Sequence, residues 1–285
     1  MRYILSLLGY GDCLITGSII ENKRRAVVDV RLIGTRVSAE SWSVLHAPIE
    51  PDEIILNNIP AFYVIKSKSL AKAYIDFRKT RAWVINNVQE KDTVIFEKAP
   101  DLRNRLIMSG VDCEIVEIER RGGAYYDRSK ALAPYYGLHQ WPDCERLLNS
   151  PKTVLINPDA REVKRQIHGA HLYIMAKAFK KLGARICLLD YNGAYRFCKD
   201  LADDYVFKPT LKDAVSVLKS SDFYIGPDSF FTHLAYYLKV PQLAFFWKDN
   251  TYFEPPGLSR VGGVFYFDDL RDHGALEKKI SLLFK

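Results

Sequence analysis

Short apolar runs alternate with amphipathic stretches along almost the whole chain. The apolar runs predict strands at 2–8, 26–30, 53–56, 93–96, 113–118, 153–157, 185–190, 204–208, 222–225, 242–246 and 264–267. Stretches with helical spacing predict helices at 70–88, 102–109, 169–182, 194–202, 211–219, 229–238 and 276–283. Strands that alternate with helices in this way are typical of α/β proteins with parallel sheets.

The predicted strands are too numerous for one open sheet, so the pattern favours two sheets in two domains. A segment rich in Gly, Pro and Tyr, with one helix, separates the strands at 113–118 and 153–157. We therefore predict doubly wound, Rossmann-like domains at 1–140 and 141–285 that face a central cleft. In such folds ligands bind at the carboxyl ends of the strands, where helix N-termini offer free N–H groups, so a phosphorylated ligand is expected.

Composition favours a cytosolic protein. Of the 285 residues, 48% are apolar, which is ample for packed cores. No apolar run is long enough to cross a membrane, and the run at 4–8 is too short for a signal peptide. The five cysteines are scattered without a CxxC pair. This indicates neither a disulfide framework nor a zinc ribbon, and a reducing cytosol is the expected compartment.

The net charge of +7 and the pI near 9.0 indicate an anionic partner without identifying it. The simplest interpretation is that the cations lie on solvated helix faces. An anionic membrane surface or an anionic acceptor comes next. Nucleic acid comes last, because no recognition motif accompanies the charge.

The first stretch with candidate chemistry is Gly9-Tyr10-Gly11-Asp12, between the first strand and the first helix. Its glycines permit a tight turn and the close approach of a ligand. Asp12 is either a helix cap or a catalytic carboxylate at the edge of the cleft. The glycine spacing does not match the dinucleotide motif GxGxxG, so this turn is not predicted to bind a dinucleotide.

The second stretch is a polar loop in the C-terminal half. It follows a strand that ends at Asn157, and it carries Arg161, Lys164 and Arg165 into the next helix. Cations on a strand-to-helix loop suit a diphosphate. They would equally suit a solvated loop, so both interpretations stay open.

The third stretch begins where Gly226-Pro227 ends a strand. Asp228 and Ser229 are predicted to cap the helix that follows. A capped helix start with free N–H groups is an anion site. His233, inside this helix, either contacts the ligand or is a packed histidine bonded to a backbone carbonyl.

Together these stretches resemble the heptosyltransferase-like glycosyltransferases of glycosyltransferase family 9, which have the GT-B fold. That family opens with a strand and then Gly-Asp before an apolar helix, as residues 11–12 do here. After a middle strand it carries Arg, two residues and Lys, matched by Arg161 and Lys164. Near the C-terminus it has Asp-Ser/Thr-Gly-x-x-His-Leu-Ala and then a Pro, which residues 228–235 and Pro241 resemble.

The resemblance implies an inverting, metal-independent glycosyltransferase. It would move heptose or a related sugar from a nucleotide-sugar donor, with an ADP-sugar favoured, to a bacterial surface glycan or lipopolysaccharide-type acceptor. Asp12 would be the base, with Tyr10 and Gly11 on the acceptor side in the N-terminal domain. No cofactor or metal is required, because Lys164 and a helix N-terminus would supply the positive charge. The donor would bind in the C-terminal domain at Asn157, Arg161, Lys164, Asp228, Ser229, Phe230, Phe231, Thr232 and His233.

The same resemblance implies a cytoplasmic monomer with peripheral contact at the cytoplasmic face of the inner membrane. Its acceptor would be an anionic glycan or a glycolipid, with no nucleic-acid partner. Two other functions stay open: a nucleotide-sugar hydrolase or epimerase on the same scaffold, and a non-catalytic nucleotide-binding relative. Phe230 motivates the second, because the family usually has Gly there, where the backbone approaches the donor phosphates.

Overall fold

The computed structural model describes residues 1–21, 30–57, 69–96, 102–116, 125–144, 149–270 and 272–284. The chain divides into two units, residues 1–140 and 141–285. Each unit contains one sheet in which all neighbouring strands run parallel, with helices in the connections between strands. The predicted α/β, doubly wound architecture is therefore confirmed. The acceptor and donor roles of the two units stay predictions.

The first unit has a five-stranded sheet of order β3-β2-β1-β4-β5. Its strands are Arg2–Ser6 (β1), Val30–Thr35 (β2), Glu53–Leu56 (β3), Thr93–Phe96 (β4) and Glu114–Val116 (β5). Its helices are Tyr10–Ile20 (α1), Arg36–Trp42 (α2), Leu70–Asn87 (α3), Leu102–Met108 (α4) and Arg128–Tyr136 (α5). The strand order reverses between β1 and β4, so the carboxyl end of β1 lies at the switch point, where ligands bind in such sheets.

The second unit has a six-stranded sheet of order β11-β10-β9-β6-β7-β8. Its strands are Thr153–Ile156 (β6), Arg185–Asp190 (β7), Asp204–Phe207 (β8), Phe223–Pro227 (β9), Gln242–Phe246 (β10) and Val264–Tyr266 (β11). Its helices are Gly169–Lys181 (α6), Leu211–Lys219 (α7), Phe230–Tyr237 (α8) and His273–Leu283 (α9). Here the order reverses between β6 and β9, so the segments that follow these two strands share the switch point.

Close packing of α1 on α2 fixes one layer of the first unit. The Trp42 side chain is fully buried, and its Nε1 donates a hydrogen bond of 2.7 Å to the Cys13 carbonyl. A Cβ built on Gly17 would overlap the Trp42 ring. Gly17 is thus required by the close approach of the two helices.

Some predicted elements differ from the structure. The strand predicted at 26–30 is Val30–Thr35, because β1 pairs from Arg2 with Val30 onward, and residues 22–29 lie outside the described part. The helix predicted at 194–202 is instead a 3-10 segment, Arg196–Leu201. It follows a turn in which the Asp190 carboxylate accepts the N–H groups of Gly193 and Tyr195. Helix α2 was not predicted, although Thr35 and Ser38 form a capping box at its start.

None of the helices in the described part of the chain combines the length and the apolarity needed to cross a membrane.

Candidate functional site

Asp12 lies in the first turn of α1, just beyond the carboxyl end of β1. Gly9 occupies the N-cap position, and no side chain caps this helix start. The interpretation of Asp12 as a helix cap is therefore wrong. The carboxylate still lies near the positive end of the helix dipole, which stabilises a negative charge there, and 28% of its side chain is exposed.

A buried arginine holds Asp12 in place. Arg128, at the start of α5, is only 1% exposed. Its Nη1 donates to the Asp12 carbonyl at 2.9 Å and to Thr16 Oγ1 at 3.2 Å, and its Nη2 donates to Asp12 Oδ1 at 3.3 Å. Sequence analysis did not single out Arg128, because its partners lie 116 and 112 residues away along the chain.

The two residues predicted to contact the acceptor adjoin Asp12 on α1. The Tyr10 hydroxyl donates a hydrogen bond of 2.5 Å to Glu40 Oε2 on α2. Burial, together with this bond to a carboxylate, raises the pKa of Tyr10. Tyr10 and Gly11 are both partly exposed. Their contact with an acceptor stays a prediction.

Aromatic side chains of the linker pack into the first unit. Tyr126 and Tyr136 are buried, and the Arg2 guanidinium lies over the Tyr135 ring, 5.5 Å from its centroid. These contacts make the three tyrosines part of the packing of the first unit.

In the second unit, the loop after β6 begins with a local turn. Asn157 is 2% exposed, and its Oδ1 accepts the N–H of Asp159 at 3.2 Å. This bond shapes the start of the loop, so Asn157 supports the site structurally. Its contact with a donor stays a prediction.

The cations of that loop have different environments. Arg161 is exposed, and Lys164 is 69% exposed with its Nζ 3.7 Å from Glu162 Oε2. Arg165, which the sequence grouped with the cations that suit a diphosphate, is only 17% exposed and lies against Asp228. Of the three cations, Arg165 is therefore the one that joins the carboxyl edges of β6 and β9.

Asp228 is the centre of this cluster. Its Oδ2 accepts from Arg165 Nη1 at 2.8 Å, and its Oδ1 lies 3.6 Å from His233 Nε2. Asn250 Nδ2 approaches Oδ2 at 3.5 Å. Burial by itself raises the pKa of Asp228. The hydrogen bond and charge of His233, and then the Arg165 guanidinium, outweigh burial and hold that pKa below its usual value.

The start of α8 differs in detail from the predicted cap. Ser229 is the N-cap residue, but its side chain makes no capping hydrogen bond, and Asp228 is bonded to Arg165 instead. The predicted cap position is therefore confirmed at Ser229, but the prediction that the side chains cap the helix is wrong. The backbone N–H groups in the first turn of a helix have no carbonyl partner within that helix. The start of α8 therefore keeps the geometry that binds an anion.

The other predicted donor residues on α8 are largely buried. His233 is 5% exposed and faces Asp228 rather than solvent. Thr232 is fully buried, and its Oγ1 donates to the Pro227 carbonyl at 2.5 Å. Phe231 is buried with its ring centroid 6.1 Å from that of Tyr191, whereas Phe230 is half-buried at the first helical position. Phe230 is thus the aromatic ring of this helix start that a ligand can reach.

Two buried carboxyl groups at the same edge were missed in the sequence. Asp190 ends β7 and accepts hydrogen bonds from Gly193 N–H, Tyr195 N–H and Tyr205 Oη. Asp159 accepts the Tyr191 N–H at 2.9 Å. Burial and then the Asp190 carboxylate raise the pKa of Asp159, more than the Tyr191 N–H lowers it. An acid at the end of a strand, followed by Tyr191 and then Asn-Gly, was the available signal for Asp190.

Among the described residues, no three His, Cys, Asp or Glu side chains are grouped as a metal site would need. The metal independence stays a prediction.

The chain is similar in fold to solved heptosyltransferases. E. coli heptosyltransferase WaaC with ADP matches 99% of this chain and 100% of its own, with a TM-score of 0.67 and 13% identity. A family 9 glycosyltransferase from Veillonella parvula matches 98% of this chain and 89% of its own, with a TM-score of 0.62 and 14% identity. E. coli ADP-heptose lps heptosyltransferase II matches 99% and 98%, with a TM-score of 0.61 and 13% identity.

No family model matches the sequence, and a sequence search of curated proteins finds no match. The two parallel-sheet units and the full-length structural matches confirm, at the level of the fold, the resemblance that the motifs indicated. The chain has the GT-B fold of the heptosyltransferases.

Proposed function

We propose that the protein is an inverting, metal-independent glycosyltransferase. It moves heptose or a related sugar from an ADP-sugar to a bacterial surface glycan or lipopolysaccharide-type acceptor at the cytoplasmic face of the inner membrane. The observation that carries the proposal is the full-length likeness to a heptosyltransferase solved with ADP and with ADP-2-deoxy-2-fluoro heptose. The order of Asp12, the cationic loop and the α8 start along the chain supports it.

The donor is proposed to bind at the carboxyl edges of β6 and β9. The backbone N–H groups of the first turn of α8 would hold one phosphate. Lys164 is exposed, and its 3.7 Å ion pair with Glu162 is of a kind that contributes about 0–1 kcal/mol. It can therefore leave Glu162 for a diphosphate at little cost. Arg161, also exposed, is the second candidate.

Asp12 is proposed as the base. The acceptor hydroxyl oxygen bonds to the anomeric carbon as Asp12 takes the hydroxyl proton. The bond from that carbon to the diphosphate oxygen breaks, and its electron pair leaves with ADP. Attack opposite the leaving group inverts the configuration. Arg128 would fix the direction of the carboxylate, because it donates hydrogen bonds to both the backbone carbonyl and the side chain of Asp12.

Nucleotide binding is the first test. Melting temperature is measured with ADP, UDP, GDP, CMP and CDP, because a ligand of the folded state raises it by mass action. We expect ADP to stabilise the wild type, and Lys164→Ala to lose most of that shift. Lys177→Ala on α6, which also removes an exposed lysine of the second unit, is the matched control. No shift with any nucleotide would contradict the donor assignment.

Transfer is the second test. Asp12→Asn keeps an oxygen for Arg128 but cannot accept a proton, so turnover should fall by about 100-fold or more while the ADP shift is unchanged. Asp127→Asn, which removes another partly exposed carboxylate of the first unit, should keep turnover. Near-normal turnover by a folded Asp12→Asn variant would contradict the assignment of Asp12 as the base. Product analysis without acceptor separates transfer from hydrolysis or epimerisation.

A non-catalytic nucleotide-binding relative is the second candidate. The observation that favours it is charge: Arg165 is neutralised by Asp228 and Glu162, and Lys164 also faces Glu162. Fewer cations are then left for a leaving diphosphate than the loop sequence suggests. An ADP shift without turnover on any glycan acceptor would establish this function.

A further inference from the structure

The outward faces of α3 and α4 expose large apolar side chains that a folded domain normally buries. Leu70 is 83% exposed and Leu102 is 72% exposed. Such side chains occur singly on most surfaces, but a group of them marks an interaction site. We call this surface the α3–α4 face; its apolar residues are Leu70, Tyr74, Ile75, Ile85, Leu102 and Leu106.

The two helices form one continuous surface. Arg81 on α3 donates from Nη1 to the carbonyls of Leu106 and Ile107 on α4, at 2.6 and 3.2 Å. The opposite side of α3 is buried in the first unit through Trp83 and Val84. Leu70 and Tyr74, and likewise Leu102 and Leu106, are four residues apart, so each pair lies on one side of its helix.

The charge of this face has one sign. The two helices carry six cations, of which Arg81 and Arg103 are partly exposed and the others exposed: Lys72, Arg78, Lys79, Arg81, Arg103 and Arg105. Within residues 70–87 and 102–108 the only carboxylate is that of Asp76. It is 8% exposed and lies on the buried side of α3, away from this face. Residues 70–87 and 102–108, all of which the structure describes, therefore present cations and apolar groups outward without a carboxylate.

Apolar side chains between lysines and arginines are the chemistry of a surface that lies on an anionic bilayer. The leucines and isoleucines enter the boundary between headgroups and acyl chains, and the cations meet lipid phosphates. Tyrosine is favoured at the same membrane–water boundary, because its ring is apolar and its hydroxyl can be hydrated. A nucleic acid would account for the cations but not for the exposed leucines.

We propose that the α3–α4 face docks the protein peripherally on an anionic lipid surface. This docking does not depend on the transfer reaction: a protein without turnover would still bind lipid through it. Conversely, a transferase that failed to bind vesicles would keep its nucleotide shift and its activity on a water-soluble acceptor. The two proposals can therefore fail separately.

The test is co-sedimentation of the full chain with vesicles of phosphatidylcholine alone, or with about one third phosphatidylglycerol. We expect binding to the anionic vesicles only, weakened at roughly 0.5 M NaCl because salt screens the cations. Arg78→Glu with Lys79→Glu should weaken binding at least about tenfold. Leu102→Ser with Leu106→Ser, which leaves the charge unchanged, should weaken it comparably.

The matched control is Lys177→Glu with Lys181→Glu on α6, which makes the same charge change on exposed lysines of the second unit. We expect this pair to bind vesicles like the wild type. Equal loss in the control would show that net charge alone drives binding and would overturn the proposal. So would absence of binding to anionic vesicles, full binding by the leucine pair, or a dimer that the leucine pair abolishes, which would assign the face to a second copy.

Discussion

Arg128 organises the start of α1 through three acceptors, two of them on Asp12. Replacing it with Met removes all three hydrogen bonds and leaves the Asp12 carbonyl and Thr16 Oγ1 without this partner. We expect Arg128→Met to lower the free energy of unfolding by about 1–3 kcal/mol. Urea denaturation followed by circular dichroism measures this change.

Lys130→Met is the control, since it removes a cation from the same helix at a side chain that is 73% exposed. Its ion pair with Asp127 lies at the surface, so the expected change is within about 0.5 kcal/mol. Equal effects of the two variants would show that the buried contacts of Arg128 do not stabilise the unit.

Asp159 should destabilise the folded protein at neutral pH. Its pKa is raised on folding, so the folded state binds more protons than the unfolded state over the interval from about pH 4 to that raised pKa. Stability from this group is thus lost as pH rises through that interval. Asp159→Asn, which keeps an oxygen for the Tyr191 N–H, should raise the melting temperature at pH 7 and less so at pH 4.

Asp190→Asn is the comparison for that experiment. Its carboxylate accepts three hydrogen bonds, one of them from the Tyr205 hydroxyl, and an amide has one acceptor oxygen. This variant should melt lower at both pH values. A lower melting temperature for Asp159→Asn at pH 7 would show that its ionised form is stabilised after all.

At this scale the sequence predicted the positions of single candidate groups better than their contacts. Asp12, Asp228 and His233 were found from local spacing, because strand ends and helix starts are local signals. Arg128 was missed, and Arg165 was not recognised as the partner of Asp228, since a contact across 116 or 63 residues depends on the packing of α5 and of the β6 loop. Lys164 was preferred over Arg165 because it matches the Lys of the family pattern that the sequence resembles, although Arg165 has the closer contact with a carboxylate.

Helix α1 packs so tightly on α2 that glycine is required between them. In an exposed helix, Gly→Ala gains about 0.5–1 kcal/mol. Gly17→Ala should do the reverse and cost about 1–3 kcal/mol, because its methyl group overlaps the Trp42 ring. Denaturant midpoints measure the sign. In a Trp42→Phe background the smaller ring leaves room, so the same substitution should cost less, and strictly additive costs would contradict the overlap.

Elements with two buried faces were the most predictable. β4 and β10 are buried at every position, and their bounds match the continuous apolar runs at 93–96 and 242–246. Short elements were less predictable. The seven residues of α2 hold less than two turns, so hydrophobic spacing gives little signal there, and only the capping box marks it.

The second unit has its own sheet, its own hydrophobic cluster across α6 and α9, and the whole proposed donor edge. We therefore expect the fragment 141–285 to fold alone, with a cooperative thermal transition and the ADP shift of the full chain. Calorimetry on the fragment and on the full chain measures both. A fragment that is folded yet shows no ADP shift would place part of the donor contacts in residues 1–140.

The whole-molecule architecture was predictable because three signals agree on two α/β units. These are the alternation of strands with helices, the number of predicted strands and the composition of the linker. The substrate was not predictable, because the donor and acceptor depend on which side chains surround the sheet edges, and a GT-B scaffold accommodates many of these.

The ion pair of Arg165 and Asp228 has a consequence for the history of the chain. Loss of Arg165 alone would remove the closest cation from Asp228, whose side chain is only 5% exposed, and a buried carboxylate that loses such a partner is strongly unfavourable. Distant homologues should therefore replace the two positions together, as a neutral couple or with exchanged signs, and seldom singly. A search for relatives that scores positions 165 and 228 jointly should reach sequences that position-by-position profiles overlook.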